Sequence, residues 1–292
     1  MDEFLDKAGV FFSLFSYPLL PIESFRYQWG TDFSLSYFVD RQLNDPMDIS
    51  DNELWKLRLK RYRISLQKIK KGVRLAKFLR YAPFVRGVAI ASTLSYFNAR
   101  PFADIDLFVI YEGDKGWVAR FYCLLLSLFF GRPGRVKTKR SPACFNFYLS
   151  RENLNLKFLK IDQDDVYLFY WVTQLFPVYG DGIWKEFWAE NIEWVSAGLS
   201  RAYPTVTVSS LRALSQAKEK SIAKNLLEKI FSLKMIGSLL ANIEWAWLPL
   251  RLKALANNGM SVVLGRHVLK FHPQDKREFY LKKWKSLSED SR

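Results

Sequence analysis

Apolar residues along this chain fall into helix-spaced stretches interrupted by a few short runs of β-formers. In residues 1–50, apolar clusters separated by Pro18 and Pro21 predict three short helices. Pro21 suits the first helical position, and Ser34 suits the cap of a helix beginning at Leu35. Asp51–Arg80 predicts one long helix with a partial apolar stripe of Leu57, Ile64, Ile69, Val73, Ala76 and Leu79. Residues 83–91 and 104–111 predict strands flanking a short helix. A helix over 115–130 follows, apolar nearly all round and so expected to be largely buried, and then a strand over 143–149. From residue 156 onward the pattern is mainly helical. A helix starts at Val166, behind Asp162, Asp164 and Asp165, which suit its N-terminus, with a carboxylate supplied from a loop or helix as the alternative. An aromatic helix over 183–197 carries Trp184, Phe187, Trp188 and Trp194 and suits a core. Thr205–Ser209 reads as extended or as a linker, helices lie around 211–256, and Ile230–Leu250 reads as a buried amphipathic helix. Gly180-Asp181-Gly182 and Asn257-Asn258-Gly259 mark turns. The order predicts an α+β protein with a small mixed sheet. Its divisions are a helical region 1–55, a connecting helix 56–80, a sheet core 81–155 and a mainly helical region 156–292.

Composition narrows the class. Of 292 residues, 49% are hydrophobic, enough for a packed core, yet no run reaches the length of a membrane span. The start, MDEFLDK, is acidic and unlike a signal peptide, so a cytoplasmic protein is expected. Cys123 and Cys144 lie in apolar runs and are expected as reduced, buried thiols. With only His267 and His272 beside them, a zinc site is not expected. His272, beside Pro273, is expected to be structural.

Charge alters the picture more. The net charge is +15, which favours an anionic partner. Residues 56–80 hold eleven Lys or Arg and no acid. A second cluster, Arg132, Arg135, Lys137, Lys139 and Arg140, lies in a Gly/Pro-marked loop. RNA, DNA or a nucleotide fits both clusters, and a solvated helix face is the structural alternative.

The candidate chemistry centres on Asp104 and Asp106, two apart in a run of Ile105, Leu107, Phe108, Val109 and Ile110. Residues i and i+2 of a strand share a face. Paired carboxylates on an apolar strand are costly unless a cation compensates, and Mg²⁺ held by one or two carboxylates commonly also binds substrate phosphates. A strand end with both Asp facing water is the alternative.

The stretch PFVRGVAIASTLSYFNARPFADIDLFVI resembles the nucleotidyltransferase superfamily of the DNA polymerase β type: strand, small-residue turn, short helix, then a strand bearing D-h-D. The likeness continues through GWVARFYCLLLSLFFGRPG, ACFNFYLSRENL, FPVYGDGIWKEFWAENIEWV and FHPQDKR, as in a poorly characterised bacterial and archaeal group of nucleotidyltransferase-domain proteins. FFSLFSYPLLPIESFRYQW is similar to that group's winged-helix-like N-terminal part. The expected wing, near 44–56, is acidic and a poor DNA contact. The resemblance implies a nucleotidyltransferase core in which Asp104 and Asp106 bind Mg²⁺ or Mn²⁺. Ser92, at the family's Gly position, and Thr93, at its Ser position, would hold the phosphates of an NTP. Arg135 and Lys137 would neutralise the triphosphate or guide an RNA, protein or small-molecule acceptor. Arg120 either pairs with an acid or reaches a phosphate. The family's third carboxylate has no counterpart on the strand 143–149, whose Cys144, Asn146 and Tyr148 are expected on one face. Asn146 is a weak metal ligand or a satisfied core residue. The implied activity is transfer of a nucleoside monophosphate with release of pyrophosphate. The alternative is nucleotide or nucleic-acid binding without turnover.

Overall fold

Runs such as Ile105–Tyr111, apolar at nearly every position, belong in a sheet covered on both faces, and the chain folds that way. The computed structural model describes residues 6–44, 52–130, 143–180, 182–201 and 222–289. It begins with three short helices, α1 (Lys7–Ser13), α2 (Pro21–Arg26) and α3 (Leu35–Asn44). Pro21 occupies the first turn of α2, and the Ser34 hydroxyl accepts from the Tyr37 amide at the start of α3. The expected wing lies mostly outside the described residues. The long basic helix is α4 (Glu53–Leu79), capped by the Asn52 side chain, which accepts from the Leu54 amide. There follow β1 (Val85–Ile90), α5 (Ser92–Ser95), β2 (Ile105–Tyr111), α6 (Gly116–Ser127) and β3 (Ala143–Ser150). After these come α7 (Val166–Thr173), β4 (Phe176–Tyr179), α8 (Ile183–Ser196), α9 (Ile222–Ser232), α10 (Lys234–Trp247) and α11 (Leu250–Leu255). The chain closes with β5 (Val262–Leu264), β6 (Val268–Phe271) and α12 (Arg277–Glu289).

The class is α+β with one open mixed sheet among the described residues. Its six strands run in the order β4-β1-β2-β3-β6-β5. Only β2 and β3 pair in parallel, joined across α6; the other neighbours are antiparallel. Three of the strands, β4, β5 and β6, come from beyond residue 155. The sheet therefore crosses the division expected there.

Alternation sorts the strand residues into two cores. Phe108, Ile110, Phe147 and Leu149 pack with α1, α7, α8 and α12. Ile90, Leu107, Val109 and Tyr148 pack with α4 and α6 through Leu75, Ala76, Leu79, Ala119 and Cys123. At Gly72 the helix α4 lies so close to the sheet that an added Cβ would meet Ile90 Cδ1 at 3.0 Å and Ile105 Cγ2 at 3.1 Å.

Three expectations need correction. The 115–130 segment is a helix only to Ser127, followed by a 3₁₀ turn over Leu128–Phe130. It is not largely buried: Val118, Ala119 and Cys123 are, whereas Leu125, Leu128, Phe129 and Phe130 are exposed. The 230–250 segment is two helices, broken at Leu233, with Leu239, Ile243 and Trp247 exposed. Among its described residues Leu248 is buried, and so is the acidic Glu244. Cys144, Asn146 and Tyr148 do not share a face. A bulge places Phe145 and Asn146 opposite the single residue Leu107, between the pairs Asp106↔Cys144 and Phe108↔Phe147. One extra residue reverses the alternation, so Tyr148 falls in the α4/α6 core.

Candidate functional site

The turn between β1 and α5 is clamped to β2: the Ala91 amide donates to the Asp106 carbonyl at 3.0 Å. Ser92, the next residue, has φ +59°. That left-handed conformation is the one glycine adopts without penalty and other residues seldom take. Ser92 thus keeps the backbone shape expected of a glycine at this position. Its hydroxyl hydrogen-bonds Asp106.

Ser92, Thr93, Asp106 and Asn146 line one cavity of about 370 Å³. That volume is within the range of small-ligand clefts. Asn146 and the next residue, Phe147, both line the cavity, because the bulge in β3 falls between the pairs Asp106↔Cys144 and Phe108↔Phe147. Asp106 is pushed up to about 6, chiefly because neighbouring protein desolvates its carboxylate. The Ser92 hydrogen bond pulls it down, and repulsion from Asp104 adds to the rise. Asp104, one residue before β2, stands beside this group but does not line the cavity. Burial raises it too, while Lys68 of α4 lowers it. Its Oδ1 is buried with no hydrogen-bond partner. Lys68 is itself buried and donates to the Ala103 carbonyl.

The opposite wall comes from the FHPQDKR segment and the turn before α7. Arg277 donates from Nη1 to Asp165 Oδ2 at 2.9 Å and to the Leu159 carbonyl at 2.7 Å, and from Nε to Asp275 Oδ1 at 3.0 Å. Asp165 also caps α7 by accepting from the Leu168 amide at 3.1 Å. Lys270 pairs with Asp275 at 2.7 Å and donates to the Met260 carbonyl. Despite burial, Arg277 and Lys270 hold Asp275 down at about 2. Burial pushes Lys270 down to about 8 and the His272 imidazole down to about 4, so His272 is neutral at pH 7. His272, expected to be structural, lines the cavity, and its Nδ1 is buried without a partner.

Phe15, Phe147, Tyr167, Trp171 and Tyr280 are the cavity's aromatic lining. Phe147 stacks on Trp171 and Tyr167 on Tyr280. Arg61 enters from α4, donating to the Phe15 carbonyl at 2.8 Å and to Asn98 Oδ1 at 3.0 Å. Burial lowers Arg61, and so does the charge of nearby Arg100. Two guanidinium groups converging at a cavity suit an anion.

The structure therefore gathers Asp104, Asp106, Ser92, Thr93 and Asn146 and leaves Arg120 elsewhere. Arg120 pairs with the buried Glu244 of α10 and lies over the Phe271 ring, which is the acid-pairing role. Arg135 and Lys137 lie outside the described residues. Arg61, Arg100, Lys270, Asp275 and Arg277 were not singled out from sequence. For Arg61 a signal existed: Arg61, Ser65 and Lys68 continue, at spacings of four and three, the buried positions Gly72, Leu75 and Leu79. Polar residues in a core-facing phase mark a site or a network.

Among the described residues, no group of three or more His, Cys, Asp or Glu is placed to share a metal ion. None of the described helices is long and apolar enough to cross a membrane. Comparison with known proteins gave no match to a family model, a curated protein or a solved structure.

Proposed function

We propose that the cavity binds a nucleoside triphosphate with a divalent cation and transfers the nucleoside monophosphate to an acceptor. The observation that carries this reading is the pairing of Asp104 and Asp106 beside the left-handed Ser92 turn. One carboxylate has an orphaned buried oxygen and the other is lifted by desolvation. Lys68 lowers Asp104 but does not act on Asp106, so one positive charge stands against two carboxylates. The donors at hand, two carboxylates, the Ser92 hydroxyl and the Asn146 amide oxygen, are hard oxygens of the kind Mg²⁺ or Mn²⁺ accepts alongside water and phosphate. When bound, the metal makes the α-phosphorus more electrophilic and neutralises charge on the leaving pyrophosphate.

The chain's own residues supply the rest. Ser92 and Thr93 hold phosphate oxygens, and Arg61 and Arg100 supply positive charge where phosphates would enter. The aromatic wall offers ring faces to a base. In the transfer, the acceptor oxygen bonds to the α-phosphorus, the bond from that phosphorus to pyrophosphate breaks, and the hydroxyl proton passes to water.

A second reading, nucleotide or nucleic-acid binding without turnover, draws support from one observation. No third carboxylate joins the pair among the described residues. Asp275, across the cavity, is held at about 2 by its cations and is a weak proton acceptor. The test is incubation of the protein with each labelled NTP and Mg²⁺ or Mn²⁺, following pyrophosphate release. Release that disappears in Asp104→Ala supports transfer. Nucleotide binding without release supports the nucleotide form of the second reading, and neither binding nor release refutes both that form and transfer.

A further inference from the structure

The outward face of α4 is a second feature that needs an explanation. Lys56, Lys60, Arg63, Lys70, Arg74 and Lys77 recur at spacings of four, three, seven, four and three residues, and all are exposed. Helical geometry puts them in one row, spanning about 31 Å at 1.5 Å per residue. The exposed Gln67 fills the gap in the row. Lys56 pairs with Glu53 at the helix start. No other acid lies on this helix, so the remaining cations of the row face water beside one another. Like charges at helical neighbour positions destabilise a helix, so an unneutralised row is a cost without a structural return.

The row leads to the cavity. A groove of about 520 Å³ separates α4 from residues 100–103 and is lined by Leu57, Lys60, Ile64 and Phe102 together with Arg61, Arg100 and Ala103. Lys60 belongs to both row and groove. Arg61, Arg100 and Ala103 line both groove and cavity. Phe102, which lines the groove with Lys60 and Arg61, is 76% exposed. A row of cations beside an exposed ring is a combination that binds single strands: phosphates follow the charge and an unpaired base stacks on the ring. A groove of about 520 Å³ has room for an unpaired base and not for a duplex. A bilayer would need an apolar face pointing outward. Here the centre of the outward face is cationic, the opposite face is packed on the sheet, and the path ends in a concave cavity.

We propose that the outer face of α4 binds single-stranded nucleic acid, whose end the groove directs to the cavity. The binding stands alone, and only delivery of a strand end rests on the transfer reading above.

The test is fluorescence anisotropy of a fluorescein-labelled oligouridylate about 15 nucleotides long, titrated with the full chain over a range of salt concentrations. Six neutralised phosphates give a log–log salt slope of about −4 for a single strand. The Arg63→Glu/Lys70→Glu/Arg74→Glu variant changes only exposed side chains. It is expected to bind at least about ten-fold more weakly, with the slope reduced to about −2. The equally charged control Lys185→Glu/Lys282→Glu/Lys283→Glu, at exposed positions off the row, is expected to stay within about two-fold of the parent at a given salt concentration. Equal losses in both variants, or no loss in the first, overturn the proposal. So does a duplex competing as well as the single strand, or binding confined to phosphatidylserine vesicles. A parent that binds the strand but releases no pyrophosphate refutes the transfer reading alone. One that releases pyrophosphate without binding the strand refutes this proposal alone.

Discussion

Replacing Asp106 with Asn should make the protein more stable. An aspartate ordinarily near 4 is held at about 6 here, so the folded chain binds that proton more tightly than the unfolded chain does. The carboxylate therefore opposes folding in full above pH 6, and the opposition fades as pH falls from 6 towards 4. Two pH units at 1.36 kcal/mol each put the cost at about 3 kcal/mol at pH 7. Asn is nearly isosteric, carries no charge and can still accept from the Ser92 hydroxyl. Asp106→Asn is expected to gain up to about 3 kcal/mol at pH 7, raising Tm by about 6 °C for a chain of this size. Near pH 4 the two proteins should unfold alike. Urea unfolding of both at several pH values isolates the effect, because titrating groups that do not interact with Asp106 cancel in the difference. A variant no more stable than the parent at pH 7, or a gain that persists unchanged into acid, would refute the reasoning. A gain would also show that the wild-type carboxylate is kept at a cost, which is expected of a group retained for binding.

Three further outcomes test the surroundings of that group. Ser92→Ala removes the hydrogen bond that favours the ionised form, so the Asp106 carboxyl should titrate above 6 in a ¹³C NMR titration. Arg277→Met leaves Asp165 and Asp275 without their shared partner. A loss of about 3–5 kcal/mol in urea unfolding at pH 7 is expected, partly restored in a double variant with Asp165→Asn. Gly72→Ala should lose about 1 kcal/mol, because crowding against Ile90 and Ile105 outweighs the better helix propensity of Ala.

How far the sequence could be read depended on how local each feature is. The long basic helix, the two central strands and the turn at Ser92 follow from neighbours in the chain: β-formers in a short run, apolar spacing, a cap. The Asp104/Asp106 pair was visible for the same reason. The second wall of the cavity was not. Lys270, Asp275 and Arg277 acquire meaning only when β6 lies antiparallel to β3 and Arg277 meets Asp165, more than a hundred residues away in the chain. The strands β5 and β6 are only three and four residues long, too short to give a period against a helical background. The bulge in β3 escaped because strict alternation was assumed across it. The exposure of α10 escaped because its apolar residues look like a core stripe whichever way they point. Arg120 shows the limit of counting charges: what decides its role is the buried Glu244, contributed by a distant helix.

The cavity draws on residues from position 15 to position 280, and this has a consequence for synthesis. As the chain emerges from a ribosome, the acidic pair and its turn appear well before the far wall. Lys270, Asp275 and Arg277, which close the far wall, follow more than 160 residues later. Throughout that interval the uncovered edge of β3 has no β6 to pair with, and the Asp165 carboxylate has no guanidinium. A shortened product ending before residue 268 would thus carry the acidic pair but no finished pocket, and its bare strand would be open to pairing with other chains.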